Sequence, residues 1–170
     1  LESHGALLRL WVGALMLTVM GRKRRPKRST LFLLDECAQL GEFGPLRQAM
    51  TLLRGYGLQV WPFFQDLSQL QRLYPKDWQT IFNNAGVFQL FGVANHLMAK
   101  GSADLIGDVN ADALRSMAKD RQIIAVANEK AQSARLPDYL VDAPFAGQFD
   151  PNPMFDPDPG PTRRRSTRAR

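Results

Sequence analysis

Residues 31–34 read Leu-Phe-Leu-Leu and run straight into Asp35 and Glu36. Four continuous apolar positions ending in two carboxylates describe a strand covered on both faces, as in a parallel sheet, that emerges at a sheet edge. Ahead of it, residues 6–20 are apolar on nearly every side, with Arg9 as the one interruption. Ser3 is placed to cap a helix running to about Met20, and its all-round apolarity predicts burial on several faces. After the strand, Gly41 and Gly44 mark a loop and Pro45 suits the first turn of a helix. Leu46, Ala49, Met50 and Leu53 follow at spacings of three and four and form one apolar face, which Gly55 and Gly57 end.

The pattern then repeats. Residues 58–64 (LQVWPFF) read as a second strand, weakened at Pro62, which cannot donate to a central ladder. Asp66 caps a helix with Gln69 at the reciprocal capping position, and Leu67, Leu70 and Leu73 line its inner side. Asp77 opens a short helix with Trp78, Ile81 and Phe82 inward. A third strand is expected over 87–91, helices over 95–106 and 110–118, and a fourth strand over 122–127. Strands alternating with helices predict an α/β domain with a mostly parallel sheet flanked by helices. Past Pro144 the composition changes: residues 150–161 hold five prolines and three aspartates, which predicts a disordered tail. The expected division is therefore a body over 1–143 and a Pro/Asp-rich, then Arg-rich, tail over 144–170.

Charge refines this picture. The 170-residue chain has a net charge of +6, but residues 22–28 hold six basic residues and 163–170 hold five. Setting those eleven aside from the 22 Lys and Arg leaves 11 against 16 acids, so the body is mildly acidic. Basic segments attract nucleic acid, anionic lipid or an acidic partner without choosing among them, and they also suit solvated loops. Cys37 is the single cysteine and His4 and His96 stand far apart, which excludes an internal disulfide and a cysteine-based metal cluster. A reducing cytoplasm fits. The apolar run 6–20 falls short of the roughly 20 residues that a membrane span needs, and a buried core helix is expected there instead. The chain begins at Leu1, without Met, as a part of a longer protein would.

The candidate chemistry sits at strand ends. Open parallel sheets bind ligands beyond the carboxyl ends of their strands, where Asp35, Glu36 and Gln65 fall. Asp35 can hold magnesium through water, because magnesium dehydrates reluctantly. Glu36 can orient or deprotonate an attacking water. Such a pair also arises by chance, or caps the next helix. Arg54, at the end of the helix after the first strand, can reach a phosphate across a subunit boundary or simply face a helix C-terminus. Gln65 can bond a γ-phosphate, or nearby backbone. No segment matches the phosphate-cradling G-x-x-x-x-G-K-[ST] loop, so these residues make up one half of a nucleotide site.

Taken together, DE at 35–36, AQLG, LLRGYG, QDLSQL and the LYP and NN segments resemble the coupling proteins of type IV secretion and conjugation, the TraG/TraD-like family. The resemblance runs from about residue 3 to 130 and is strongest over 31–92; residues 93–118 follow it loosely. It implies a RecA-like P-loop NTPase that is incomplete here, lacking the first nucleotide motif and the membrane-spanning part. It implies an ATP-driven homo-hexamer at the cytoplasmic face of the inner membrane that pumps DNA with its relaxase, or protein effectors, into the secretion channel. On that resemblance Asp35 and Glu36 match the second nucleotide-binding motif, with magnesium on Asp35. Arg54 matches the arginine finger acting on a neighbour's ATP, and Gln65 the glutamine of the third motor motif. The chain alone, without its P-loop, is then expected to be inactive. The alternative is a non-catalytic adaptor that holds DNA or relaxase through its basic segments.

Overall fold

The structure is a computed structural model that describes residues 5–24, 26–93, 95–127 and 129–150, with the side chains of 52–54 outside that description. The chain divides into two compact units, residues 1–135 and 136–170. In the first, α1 (Gly5–Met20) leads to β1 (Thr30–Leu34), a 3-10 turn (Cys37–Leu40), α2 (Gly44–Leu52) and a second 3-10 turn (Leu53–Tyr56). Then come β2 (Leu58–Pro62), α3 (Leu67–Leu73), α4 (Trp78–Asn83), β3 (Val87–Phe91), α5 (His96–Ile106), α6 (Ala111–Arg115), β4 (Arg121–Val126) and β5 (Gln132–Arg135). The expected cap at Asp66 forms, accepting the N–H of Gln69, and Asn95 likewise caps α5 by accepting that of Leu97. The Ser3 cap lies outside the described residues, as do the Pro-rich end of the chain and its Arg-rich run.

The single, mostly parallel sheet is not what forms. β1 and β2 pair in parallel, Thr30 with Leu58 through Leu34 with Pro62. β3, β4 and β5 make a separate antiparallel sheet in that order. Only five residues separate β4 from β5, too few for the crossover that a parallel neighbour needs. β5 has the short, polar sequence Gln-Ser-Ala-Arg, so no apolar run announces it. The fold is thus α/β with two small sheets.

Three apolar clusters hold the first unit together. The largest joins Met16 of α1, Leu34 of β1, Cys37, Phe43, Leu46 and Tyr74. A second places Val19, Ala49 and Leu58 under β2, and a third packs Ala99, Ala103 and Leu114 against Ile123 of β4. Gly13 of α1 faces the Phe43 ring, which would stand in ordinary contact, 3.7 Å, from an added Cβ. α1 departs from the expected burial on several faces. Gly13, Met16 and Val19 are its buried residues, while Leu10 and Trp11 are 68% and 63% exposed. Its inner stripe meets the loop 37–43; the described residues bring nothing against its outer face. β1 shows the same one-sidedness, with Leu31 and Leu33 51% and 56% exposed beside Trp61 of β2.

The second unit, described over residues 136–150, is built of turns. Asp142 accepts the N–H of Asp138, Asp138 accepts that of Leu140, and the rings of Tyr139 and Phe149 meet edge to face at 5.1 Å.

Candidate functional site

The parallel pairing of β1 and β2 decides where the acidic residues point. Both strands run the same way, so the segments that leave them emerge at one edge: Asp35 and Glu36 after β1, Gln65 after β2. Two backbone bonds tie those segments together beyond the ladder. Phe63 donates its N–H to the carbonyl of Leu34 at 3.0 Å, and Cys37 donates its N–H to the carbonyl of Phe63 at 2.9 Å.

Glu36 sits between these anchors with φ 50° and ψ 47°, the one non-glycine residue with positive φ among those described. A left-handed backbone costs an L-residue roughly 1–2 kcal/mol and persists where its surroundings impose it. Here the Cys37–Phe63 bond lies on one side, and the Glu36 carbonyl accepts the N–H of Gln39 at 2.9 Å on the other. The buried Cys37 side chain anchors the turn, and burial pushes its thiol pKa up to about 12, so it serves as an apolar wedge. Both acidic residues are exposed, and the Asp35 Oδ1 accepts the N–H of Glu36 at 3.1 Å. Neither enters an ion pair among the described residues.

Gln65 is exposed and held by Gln69, four residues on. Its backbone N–H donates to the Gln69 Oε1 at 3.0 Å, and the Gln69 Nε2 donates to the Gln65 Oε1 at 3.1 Å. Gln69 therefore reaches past the cap residue to the position before it. Asp66 takes the Gln69 N–H at 2.9 Å and the Ser68 hydroxyl at 2.6 Å. The Ser68 bond, then the Gln69 one, lowers the Asp66 pKa below the ordinary carboxylate value.

Arg54 lies elsewhere. Its backbone belongs to the 3-10 turn Leu53–Tyr56, which precedes β2, whereas Gln65 follows it. Five strand residues at about 3.3 Å each place it roughly 16 Å back along the sheet. The structure thus brings Asp35, Glu36 and Gln65 to one edge and leaves Arg54 toward the other.

A magnesium–nucleotide complex fits the donors present. Magnesium takes one or two carboxylates together with phosphates and water, not an all-protein cage. Asp35 and Glu36 offer exposed hard oxygens, and no cluster of three or more His, Cys, Asp or Glu suited to a metal occurs among the described residues. The edge is an open rim. Two shallow depressions of about 550 and 580 Å³ lie beside α5 and α6, lined by residues other than these three.

A family model described as the TraM recognition site of TraD and TraG matches residues 29–138. The chain belongs to this TraG/TraD coupling-protein family. The conjugal transfer protein TraG of Agrobacterium fabrum is 39% identical over 74 residues, which cover 44% of this chain and 11% of that protein. A probable conjugal transfer protein TraG of Sinorhizobium fredii is 32% identical over 74 residues, covering 44% and 12%. Among solved structures, the bacterial conjugative coupling protein TrwB without its first 70 residues superposes with a TM-score of 0.69 at 20% identity. That match covers 80% of this chain and 38% of TrwB. The plasmid coupling protein TrwB in complex with ADP and Mg2+ gives 0.68 at 22% identity, with the same coverage. At these identities the structures establish the shared fold. The chain therefore spans only a fraction of each TraG/TraD relative it matches. No described helix of the chain is long and apolar enough to cross a membrane.

Proposed function

We propose that this chain is the carboxyl-terminal part of the RecA-like motor domain of a conjugation coupling protein. Its body would run to about residue 143, with 144–170 as a tail. The observation that carries the reading is the shared edge: an exposed acidic pair, with Glu36 in a strained left-handed conformation, beside the amide of Gln65. Strain of this kind gathers at sites where geometry is part of a mechanism. The incomplete sheet supports the same reading. Two parallel strands are too few to stand alone, and parallel sheets are covered on both faces. Leu31, Leu33 and Trp61 stay exposed on one face, and the outer side of α1 is apolar too. Further polypeptide carrying the P-loop would supply the remaining strands and cover these surfaces.

In the completed site Asp35 would hold magnesium through a water, and the ion would supply charge neutralisation at the phosphates. Glu36, next along the chain, accepts the proton of the attacking water. Gln65 donates to a γ-phosphate oxygen. Arg54, toward the other end of β2 from its own subunit's acidic edge, would serve a neighbour's site, as in a homo-hexamer at the inner membrane. The cargo in this reading is DNA with its relaxase or a protein effector, and a TraM-like protein is a further partner on the strength of the family's description. The acidic rim favours this over an adaptor that works through its basic segments alone.

Magnesium-dependent ATP hydrolysis tests the reading. The 170-residue chain is expected to turn over ATP at background rate, and a longer polypeptide that carries it with a P-loop to turn it over steadily. Robust turnover by the short chain, or none by the longer one, overturns it.

A further inference from the structure

The Gln65–Gln69 pair fixes more than a side-chain position. An amide side chain has one accepting end and one donating end, and the two are settled by their partners. Here the settlement starts from a group that cannot be turned round. The backbone N–H of Gln65 is a donor only, so the Gln69 atom that meets it at 3.0 Å must be Oε1. The other end of that same amide, Nε2, is then necessarily a donor, and it meets the Gln65 side chain at 3.1 Å. The Gln65 atom that receives it must be Oε1. Its remaining polar end, Nε2, is left with two N–H donors and faces away from Gln69.

We propose that Gln69 is a positioning residue that sets the orientation of the Gln65 amide, so that Gln65 presents Nε2, a hydrogen-bond donor, to the phosphate edge. The inference rests on the nucleotide reading above and deepens it. A glutamine free to turn presents its oxygen part of the time, and an oxygen repels phosphate oxygens. A glutamine locked with its nitrogen outward is preorganised for an anion, and preorganised donors stabilise developing charge without rearrangement during the reaction. Gln69 is itself held in place. It is half-buried, and its backbone N–H is bonded to Asp66 independently of its side chain. Nothing in the capping role alone requires its amide to reach Gln65.

The decisive variant is Gln69→Glu in the longer polypeptide that carries this chain. Both glutamate oxygens accept. One keeps the Gln65 N–H, and the other draws the Gln65 Nε2 inward, turning the Gln65 oxygen toward the phosphate. ATP turnover is measured for the parent, Gln69→Glu, Gln65→Ala and the double variant. The expected result is that Gln69→Glu lowers kcat to within about threefold of Gln65→Ala, leaves KM for ATP within about twofold, and costs nothing further in the Gln65→Ala background. Should Gln69→Glu fail to fold, Gln69→Met removes both bonds without adding charge. It is expected to lower kcat several-fold in the parent and to have no effect beside Gln65→Ala. Gln65→Ala abolishing turnover while Gln69→Glu and Gln69→Met keep the parent's kcat overturns this inference alone. The same holds for losses that multiply in the double variant. Undiminished turnover in Gln65→Ala removes Gln65 from the site and overturns both the inference and the reading it rests on.

Discussion

The N–H of Cys37 donates to the carbonyl of Phe63 at 2.9 Å, which fastens the residue after the acidic pair to the segment leading into Gln65. Any shift of that segment is passed to Glu36 through one short backbone link. A residue that senses phosphate and one that activates water would then be joined mechanically as well as brought near.

The left-handed backbone of Glu36 gives this arrangement a measurable cost. Glycine adopts that conformation freely. Glu36→Gly is expected to raise the unfolding free energy of the chain by about 1 kcal/mol while removing the carboxylate. Denaturant titration checks this, and a clear loss of stability would show that the turn is not strained.

Tyr74 holds the loop beneath the site. Its buried hydroxyl accepts the N–H of Phe43 at 3.1 Å, and burial, as the main cause, pushes its pKa up to about 12. Tyr74→Phe leaves that buried N–H without its partner and should destabilise the chain by about 1–3 kcal/mol. An unchanged urea midpoint would mean that the bond contributes nothing.

Asp66 ties the start of α3 to pH. Its folded pKa is lowered, first by the Ser68 hydroxyl. Its contribution to stability is therefore complete above the unfolded value of about 3.9 and is lost as pH falls through the folded value below it. Exchange protection of the Gln69 N–H should fall in that acid window, and Asp66→Asn should remove the pH dependence. Protection that stays constant to the bottom of the window would contradict this.

Much of this was readable in the residues, and the misses have physical causes. The apolar run 31–34 and the turn residues around it placed β1, and Asp66 marked a helix start because a short polar side chain there satisfies free N–H groups. Strand direction was not readable. Leu90 and Ile123 look alike whether their strands run parallel or antiparallel, and β5 has no apolar alternation to reveal it. The outer face of α1 was misjudged because apolarity states a preference for burial, and the partner that would satisfy it is not among the described residues. At the site, Asp35, Glu36 and Gln65 stood out by residue type and position. The Gln65–Gln69 link had a signal in its i, i+4 spacing, but the left-handed turn at Glu36 had none, since glutamate gives no hint of positive φ.

Arg54 carries a prediction about assembly. In the longer polypeptide, Arg54→Ala should lower ATP turnover by about 10³-fold or more, as arginine fingers do. Adding subunits that retain Arg54 but carry Glu36→Gln should restore part of the rate, because each variant supplies what the other lacks. Full activity in Arg54→Ala alone would end its assignment as a trans-acting group.

The most direct test of the nucleotide site is Glu36→Gln in that longer polypeptide, with nucleotide affinity and turnover measured side by side. The substitution keeps shape and removes the base. ATP affinity within about threefold of the parent, with turnover reduced about 10²-fold or more, is the outcome expected of a water-activating carboxylate. Turnover at the parent's rate would show that Glu36 takes no part in the chemistry and that its strained turn serves the fold alone.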